Sequence, residues 1–311
     1  DLIFDQLGSI ENFVKQGDMV VIKPNMLLGK KPEQVVTTNP KLIKQVIKRL
    51  QKIGCKIIIG DSPGGPFNEV RLKNIYKKVG FYELGELENV ELNYNTDSTK
   101  VSFEDGLLVK SFEIADFIKE ADVIINMSKL KTHSFMKYTG SVKNLFGTIP
   151  GMIKAEYHLR MPEANNFALM LVDLARLIKP QLNIMDAVYG MEGAGPSAGE
   201  KRNFGYLMAS TSPFSLDLAG THLFNMKQKE VPTINQAIQK GITGTFDEIK
   251  IVGDNLIPAE NTKVPEINKS DTRNVSDLPH FLAKIINKLL KPRPVFNTDK
   301  CVKCGDCAAN C

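Results

Sequence analysis

Two glycines, Gly54 and Gly80, each close a helical pattern that follows a short β-branched run, and few folds are open to a chain punctuated in this way. "MVVIKPN" (Met19 to Asn25) reads as a first strand. Pro40 stands where N1 prolines stand, ahead of a helix whose Leu42, Ile43, Val46, Ile47 and Leu50 share one face. "CKIIIGDSPGG" supplies a second strand and a Gly-rich turn, and "NEVRLKNIYKKVG" a second helix, which makes a βαβα unit. Short strands are expected at "VELNY" and "KVSF", a longer one at Val123 to Asn126, and a helix over Asn165 to Ile178. "QLNIMDAVYG" and "FGYLMAS" read as strands and "SPFSLDLAGTHLF" as a helix that opens on proline. "DEIKIVG" is expected to be a late strand and "LPHFLAKIINKLL" a last helix. Strands separated by helices predict an α/β fold with a mainly parallel sheet covered by helices, in which binding residues gather beyond the carboxyl ends of the strands.

Pro292 and Pro294 mark a linker, so residues 1–291 are expected to form the α/β domain and residues 292–311 the start of a ferredoxin-like module. That module is "CVKCGDCAANC". Its Cys301, Cys304, Cys307 and Cys311 follow three hundred residues that contain one other cysteine, Cys55. The C-x2-C-x2-C-x3-C spacing is that of bacterial ferredoxins, where the first three thiolates ligate one [4Fe-4S] cluster and the fourth serves a second cluster. In a longer chain two clusters are therefore expected, completed by a further cysteine run. A zinc knuckle is the competing reading, but tetrahedral zinc sites usually pair two separated C-x2-C hairpins. Cys55, beside an isoleucine run, reads as a small buried hydrophobe.

With 311 residues, 42% of them apolar, the chain can fill a large core. It has no apolar run of the roughly eighteen residues that a membrane helix needs, and its first residues show neither a charged n-region nor an h-region. A net charge of +5 without a Lys/Arg block or interleaved aromatics points to small anions as ligands, with no nucleic acid and no membrane among the partners. Clustered cysteines argue for a reducing, cytoplasmic setting.

The densest polar stretch is "NMSKLKTHSFMKYTGSVKNLFGTIPG", which sets Lys129, Lys131, His133, Lys143 and Asn144 among small and turn-forming residues. Fixed cations close to glycines suit the close approach of an anion. Lys23 and Asn25 end the first strand. In "GDSPGG", Asp61 would repel an anion unless it holds a lysine or a metal, and the segment has neither a Walker ending nor dinucleotide spacing. "MDAVYGMEGAGP" contributes Asp186, Glu192 and Gly193, whose carboxylates suit proton transfer, a divalent ion or a structural ion-pair network. His133 and His158 flank the glycine-rich segment and are candidate proton carriers.

Taken together, "VVIKPNML", "GDSPGG", "KLKTHSFMKYTGSVKNLFGTIPG", the following "EYH", "MDAVYGMEGAGP" and the cysteine run resemble the DUF362 family, iron–sulfur proteins with a large α/β domain often followed by ferredoxin-type motifs. The resemblance implies a site made of Lys23, Asn25, Asp61, Lys131, His133, Lys143, Asn144, His158, Asp186, Glu192 and Gly193. "TGSVKNLFGTIPG" is also similar to the G-x-K-x-x-x-P-G segment of nickel-pincer lactate racemases, with a longer interval here between lysine and proline.

These readings predict an oxidoreductase in which a ferredoxin-type module, served by a redox partner protein, exchanges electrons with an anionic substrate or a second, unidentified cofactor in the cleft. Lys23, Asn25, Asp61, Lys129, Lys131, Asn144, Glu192 and Gly193 would bind the ligand, and His133, His158, Lys143 and Asp186 would carry the chemistry. A racemase-like non-redox enzyme and a non-catalytic electron-transfer or assembly module are the alternatives.

Overall fold

The computed structural model describes residues 2–265. The four terminal cysteines, the proline linker and the helix expected at "LPHFLAKIINKLL" lie outside the described residues.

The chain begins with α1 (Leu2–Gln6), β1 (Met19–Pro24), α2 (Pro40–Ile53), β2 (Lys56–Ile59), α3 (Glu69–Val79) and β3 (Val90–Leu92). Next come β4 (Ser98–Ser102), β5 (Ser111–Ala115), α4 (Asp116–Lys119), β6 (Val123–His133) and β7 (Lys137–Thr139). Then follow α5 (Ser141–Asn144), α6 (Gly151–Arg160), α7 (Ala164–Ile178), β8 (Leu182–Glu192), β9 (Glu200–Ser210), α8 (Pro213–Leu223) and α9 (Pro232–Gln239).

The two glycines and their partners set the first helices as their chemistry requires. Asn39 caps α2 by accepting from Lys41 N at 2.9 Å, Pro40 occupies the first turn, and Gly54 ends the helix in the left-handed region at φ 85°. α3 repeats the device, with Asn68 accepting from Arg71 N and Gly80 at φ 76°. Ile43, Val46, Ile47 and Leu50 of α2 are buried as the helical spacing predicts, and they pack with Val20 and Ile22 of β1 and Ile57 and Ile59 of β2. Val21 and Ile124 point to the opposite face of the sheet and join Phe167, Leu171 and other residues of α7.

The sheet runs in the order β3-β2-β1-β6-β8-β9, and its first five strands are mutually parallel, with β9 antiparallel to β8. This is an α/β fold with a mainly parallel sheet covered on both faces. The strand order reverses between β1 and β6, which is the topological switch point where open α/β sheets leave a crevice for ligands.

Two departures from the sequence reading matter. β6 does not end at Asn126. It runs on to His133, so Ser128, Lys129, Lys131 and His133 are strand residues, not loop residues. A strand this polar is sustained because both of its edges are paired: Lys131 is registered with Met191 of β8 on one side and with Thr139 of β7 on the other. β7 therefore occupies the edge of β6 that β1 leaves when it stops at Pro24. The segment "DEIKIVG" is the second departure. Phe246–Glu248 form a 3-10 turn, and Ile251 and Val252 are exposed with no strand partner. Its alternating isoleucines look like a strand, but among the described residues neither sheet takes the segment up. β5, β7, α6 and α9 are further elements that the apolar periodicity did not mark.

Candidate functional site

Beyond the end of β1, beneath the β6–β7 hairpin, lies a cavity of about 310 Å³. Its wall carries Lys23 and Asn25 from β1 and the residue beyond it, Asp61 to Gly65 in part from the turn after β2, Lys131 and His133 from β6, and Lys143 and Asn144 from α5. Gly147 and the α6 residues Gly151, Lys154, Ala155 and His158 complete it. Among the described residues, four lysines and two histidines thus face one carboxylate.

That carboxylate is already partnered. Lys23 Nζ lies 2.8 Å from Asp61 Oδ1 and donates to Pro24 O at 2.9 Å, both side chains being fully buried. Asp61 Oδ2 accepts from Met26 N, while Oδ1 has its ion pair but no hydrogen bond. Gly147 crosses directly over this pair, where a Cβ would fall 1.9 Å from Asp61 Oδ1, and its carbonyl accepts from Ser62 N. Gly151 is pressed as closely against Gly65 O. The two glycines of "GTIPG", Gly147 and Gly151, are needed for this close approach to the Asp61 carboxylate and the Gly65 carbonyl.

A continuous run of amides positions the polar wall. Lys131 Nζ donates to Asn25 Oδ1 at 2.8 Å and to Val36 O at 2.8 Å. Asn25 Nδ2 donates to Asn144 Oδ1 at 2.9 Å, Asn144 Nδ2 to Asn126 Oδ1 at 2.7 Å, and Asn126 Nδ2 to Asn183 Oδ1 at 2.8 Å. Each amide donates to the next, so the network is satisfied in one direction and fixes α5 against β6 and β8. The other end of α5 is held by buried Asp217, which accepts from Ser141 N at 2.5 Å, Val142 N at 3.0 Å and the Tyr138 hydroxyl at 3.2 Å. Burial pushes the Asp217 carboxyl up to about 7, opposed by these three donors.

With Val142 and Asn144 buried on either side, Lys143 is left to face the cavity. Its amine has no hydrogen bond or ion pair to any described residue, and the Phe146 ring lies 5.9 Å away. Burial alone brings it down to about 8. Lys154 differs: its amine donates to Ser62 O, to Ser62 Oγ at 3.1 Å and to Ile149 O at 3.0 Å, and burial brings it to about 7, opposed by Asp61. Lys131 is held well below the usual lysine value by burial and then by the charges of Lys143 and Lys129. The same burial, with Lys143 next, holds His133 far below the usual imidazole value and therefore neutral. His133 Nδ1 accepts from Phe135 N and Met136 N, so the ring proton is on Nε2. His158 stands at the mouth, stacked on Phe167 at 4.4 Å between ring centres and edge-on to Phe146, and desolvation lowers it too.

The cavity gathers Lys23, Asn25, Asp61, Lys131, His133, Lys143, Asn144 and His158 from four separate stretches of sequence. It does not gather the others. Lys129 pairs with Asp186 at 2.8 Å, and Asp186 also accepts from Asn39 N at the start of α2, which makes this pair a strut beneath the α2 cap. Glu192 holds Arg202 at 2.9 Å and the Lys263 backbone N–H, and Gly193 N donates to Lys263 O. Among the described residues no group of three His, Cys, Asp or Glu side chains is placed to hold a metal ion. The sequence reading missed Lys154. Gly151, Lys154, Ala155 and His158 fall at i, i+3, i+4 and i+7 of α6, a helical stripe that would have linked Lys154 to His158 had the helix been foreseen.

Fold and site together define a doubly wound α/β protein with a lysine-walled cavity at its switch point. The chain belongs to the DUF362 family, described as a domain of unknown function, whose profile matches residues 20–222. It is 34% identical over 274 residues to the thylakoid-associated protein sll1697 of Synechocystis sp., covering 85% of this chain and 82% of that one. Solved structures similar to it include the lactate racemase apoprotein of Thermoanaerobacterium thermosaccharolyticum, at 14% identity and a TM-score of 0.41 over 65% of this chain and 48% of that one. A Thermotoga maritima protein matches at 10% identity and a TM-score of 0.38, covering 65% of this chain and 52% of that one. The chain thus spans about half the length of these two structures. No helix among the described residues is long and apolar enough to cross a membrane.

Proposed function

We propose that this protein is an enzyme acting on a small organic anion, which binds in the switch-point cavity, and that the cysteine run at 301–311 holds an iron–sulfur cluster that exchanges electrons with it. One observation carries the first half: the cavity wall is cationic, and one of its amines, that of Lys143, has no hydrogen-bond or ion-pair partner among the described residues. Lys131 and Lys143 receive the anion. Lys23 is neutralised by Asp61 and holds the floor. His133, neutral and carrying its proton on Nε2, donates a hydrogen bond, and Lys143 can exchange a proton near neutral pH because its pKa lies close to it. The ferredoxin spacing of the cysteines supports the second half.

Anion binding should depend on pH with a definite sign. Lys143 is charged below about 8, so affinity for an anion of fixed charge is greatest below that value. It should fall by up to roughly tenfold per pH unit above it. Calorimetric titration with lactate, whose charge is constant over this range, in buffers of different ionisation enthalpy checks this, since proton uptake must accompany binding above about pH 8 and fade below it. A flat pH profile would remove Lys143 from the anion site.

The electron-transfer half has its own test. Anaerobically isolated protein extended past Cys311 should contain iron matched by acid-labile sulfide, and replacing Cys301, Cys304 and Cys307 with serine should remove both. Zinc or no metal, with anion binding intact, would leave an enzyme of proton transfer, the racemase-like alternative.

A further inference from the structure

We infer that Lys143 forms an imine with the carbonyl carbon of a small 2-oxo acid, whose carboxylate lies among the cavity's other basic groups. This rests on the anion-binding reading of the same cavity and narrows its substrate class.

The distinction among the lysines is geometric. Lys23, Lys131 and Lys154 each direct the amine to at least two fixed acceptors in the protein, so these amines are tied to holding the fold. Lys143 commits nothing. Its amine enters a cavity of about 310 Å³, at the lower end of ordinary small-molecule sites, and has one aromatic ring, Phe146, near it. A simple charge clamp is better served by a tethered ammonium, whereas a nucleophile needs a free lone pair and a site that disfavours the charged form. Lysines activated in this way are desolvated, as burial desolvates Lys143, and Lys131 and His133, whose pKa values the Lys143 charge lowers, face the same cavity.

The step balances without an oxidant or reductant. The Lys143 lone pair forms the C–N bond while the carbonyl π pair moves to oxygen. The two amine protons and that oxygen then leave as water, and C=N replaces C=O. His133 Nε2–H is a hydrogen-bond donor for the oxygen as negative charge develops on it. At about pH 7.5 an amine of pKa about 8 holds roughly two hundred times more of the reactive neutral form than an ordinary lysine at 10.5.

The test is reductive trapping. Protein is incubated with pyruvate and sodium cyanoborohydride, digested and mapped by mass. The expected result is a reduced adduct at Lys143 on the order of a hundredfold above that at exposed lysines. Phosphate should suppress it by competition, and Lys143→Arg, which keeps a cation but cannot form the imine, should show none. Adduct spread evenly over exposed lysines, or undiminished in Lys143→Arg, overturns the inference. Absence of adduct alongside thermal stabilisation by phosphate also overturns it and leaves the anion reading standing, whereas failure of both pyruvate and phosphate ends both.

Discussion

Replacing Lys143 with alanine should weaken phosphate or lactate binding by roughly 10- to 100-fold, the effect of losing one charge-assisted hydrogen bond. It should leave resistance to urea unchanged or slightly raised. The second half of that expectation is what gives the first its meaning. An amine with no acceptor among the described residues, held in a site that lowers its pKa to about 8, makes no bond that supports the described fold, and its removal relieves a desolvation cost. The neighbouring lysines offer no such separation. Lys131→Ala strands Asn25 Oδ1 and the Val36 carbonyl, and Lys154→Ala strands Ser62 O and Ile149 O, so in either case lost binding would be confounded with a loosened wall. Titration calorimetry and urea unfolding on the same Lys143→Ala preparation check the prediction. Undiminished affinity would show that the anion, if it binds, binds elsewhere.

Asp61→Ala should cost about 3–5 kcal/mol of folding stability, the usual result of deleting one partner of a buried ion pair. The variant leaves Lys23 with the Pro24 carbonyl as its remaining acceptor and Met26 N–H with none. The cost has a pH signature. Burial lowers the Lys23 pKa and Asp61 raises it, so without Asp61 the pKa falls further and the amine sheds its proton more readily. A group with a depressed lysine pKa destabilises most at low pH, where the unfolded chain holds the proton that the folded one resists. The gap between wild type and Asp61→Ala should therefore be wider at about pH 6 than at about pH 9. Urea denaturation at both pH values measures it. A gap that does not change with pH would mean that Lys23 is not the residue left unpaired.

The contrast between these variants reflects how the site is made. Asp61, Lys23, Gly147 and Gly151 join two loops into a rigid floor, whereas Asn25, Asn144, Asn126 and Asn183 tie α5 to the sheet by amides. Lys143 stands on a four-residue helix pinned at one end by Asp217 and at the other by Asn144. Its amine is thereby held in place although it bonds to no described residue.

Much of the scaffold can be read from local chemistry. β-branched runs, N1 prolines, asparagine caps and left-handed glycines determine β1, α2, β2 and α3 within a few residues each, so the α/β class and the use of strand carboxyl ends follow from the chain itself. The identity of most cavity residues was also legible, because lysines, histidines and asparagines beside glycines are rarely explained by the core. Their division of labour was not. Lys129 and Lys131 stand two apart on one strand, yet one pairs with Asp186 beneath a helix cap and the other opens on the cavity, because the register of β6 against β8 shifts between them. Whether a lysine is a strut or a free amine depends on which acceptors other segments bring within about 3 Å, and for Lys131 one such acceptor, Asn25, lies 106 residues away in sequence. Local sequence determined the first strands and helices, their caps and the stock of charged groups. Only the tertiary structure decided which charges cancel and that Lys143 has no partner among the described residues, because pairing is a long-range contact and burial, which sets its strength, is a property of the whole fold.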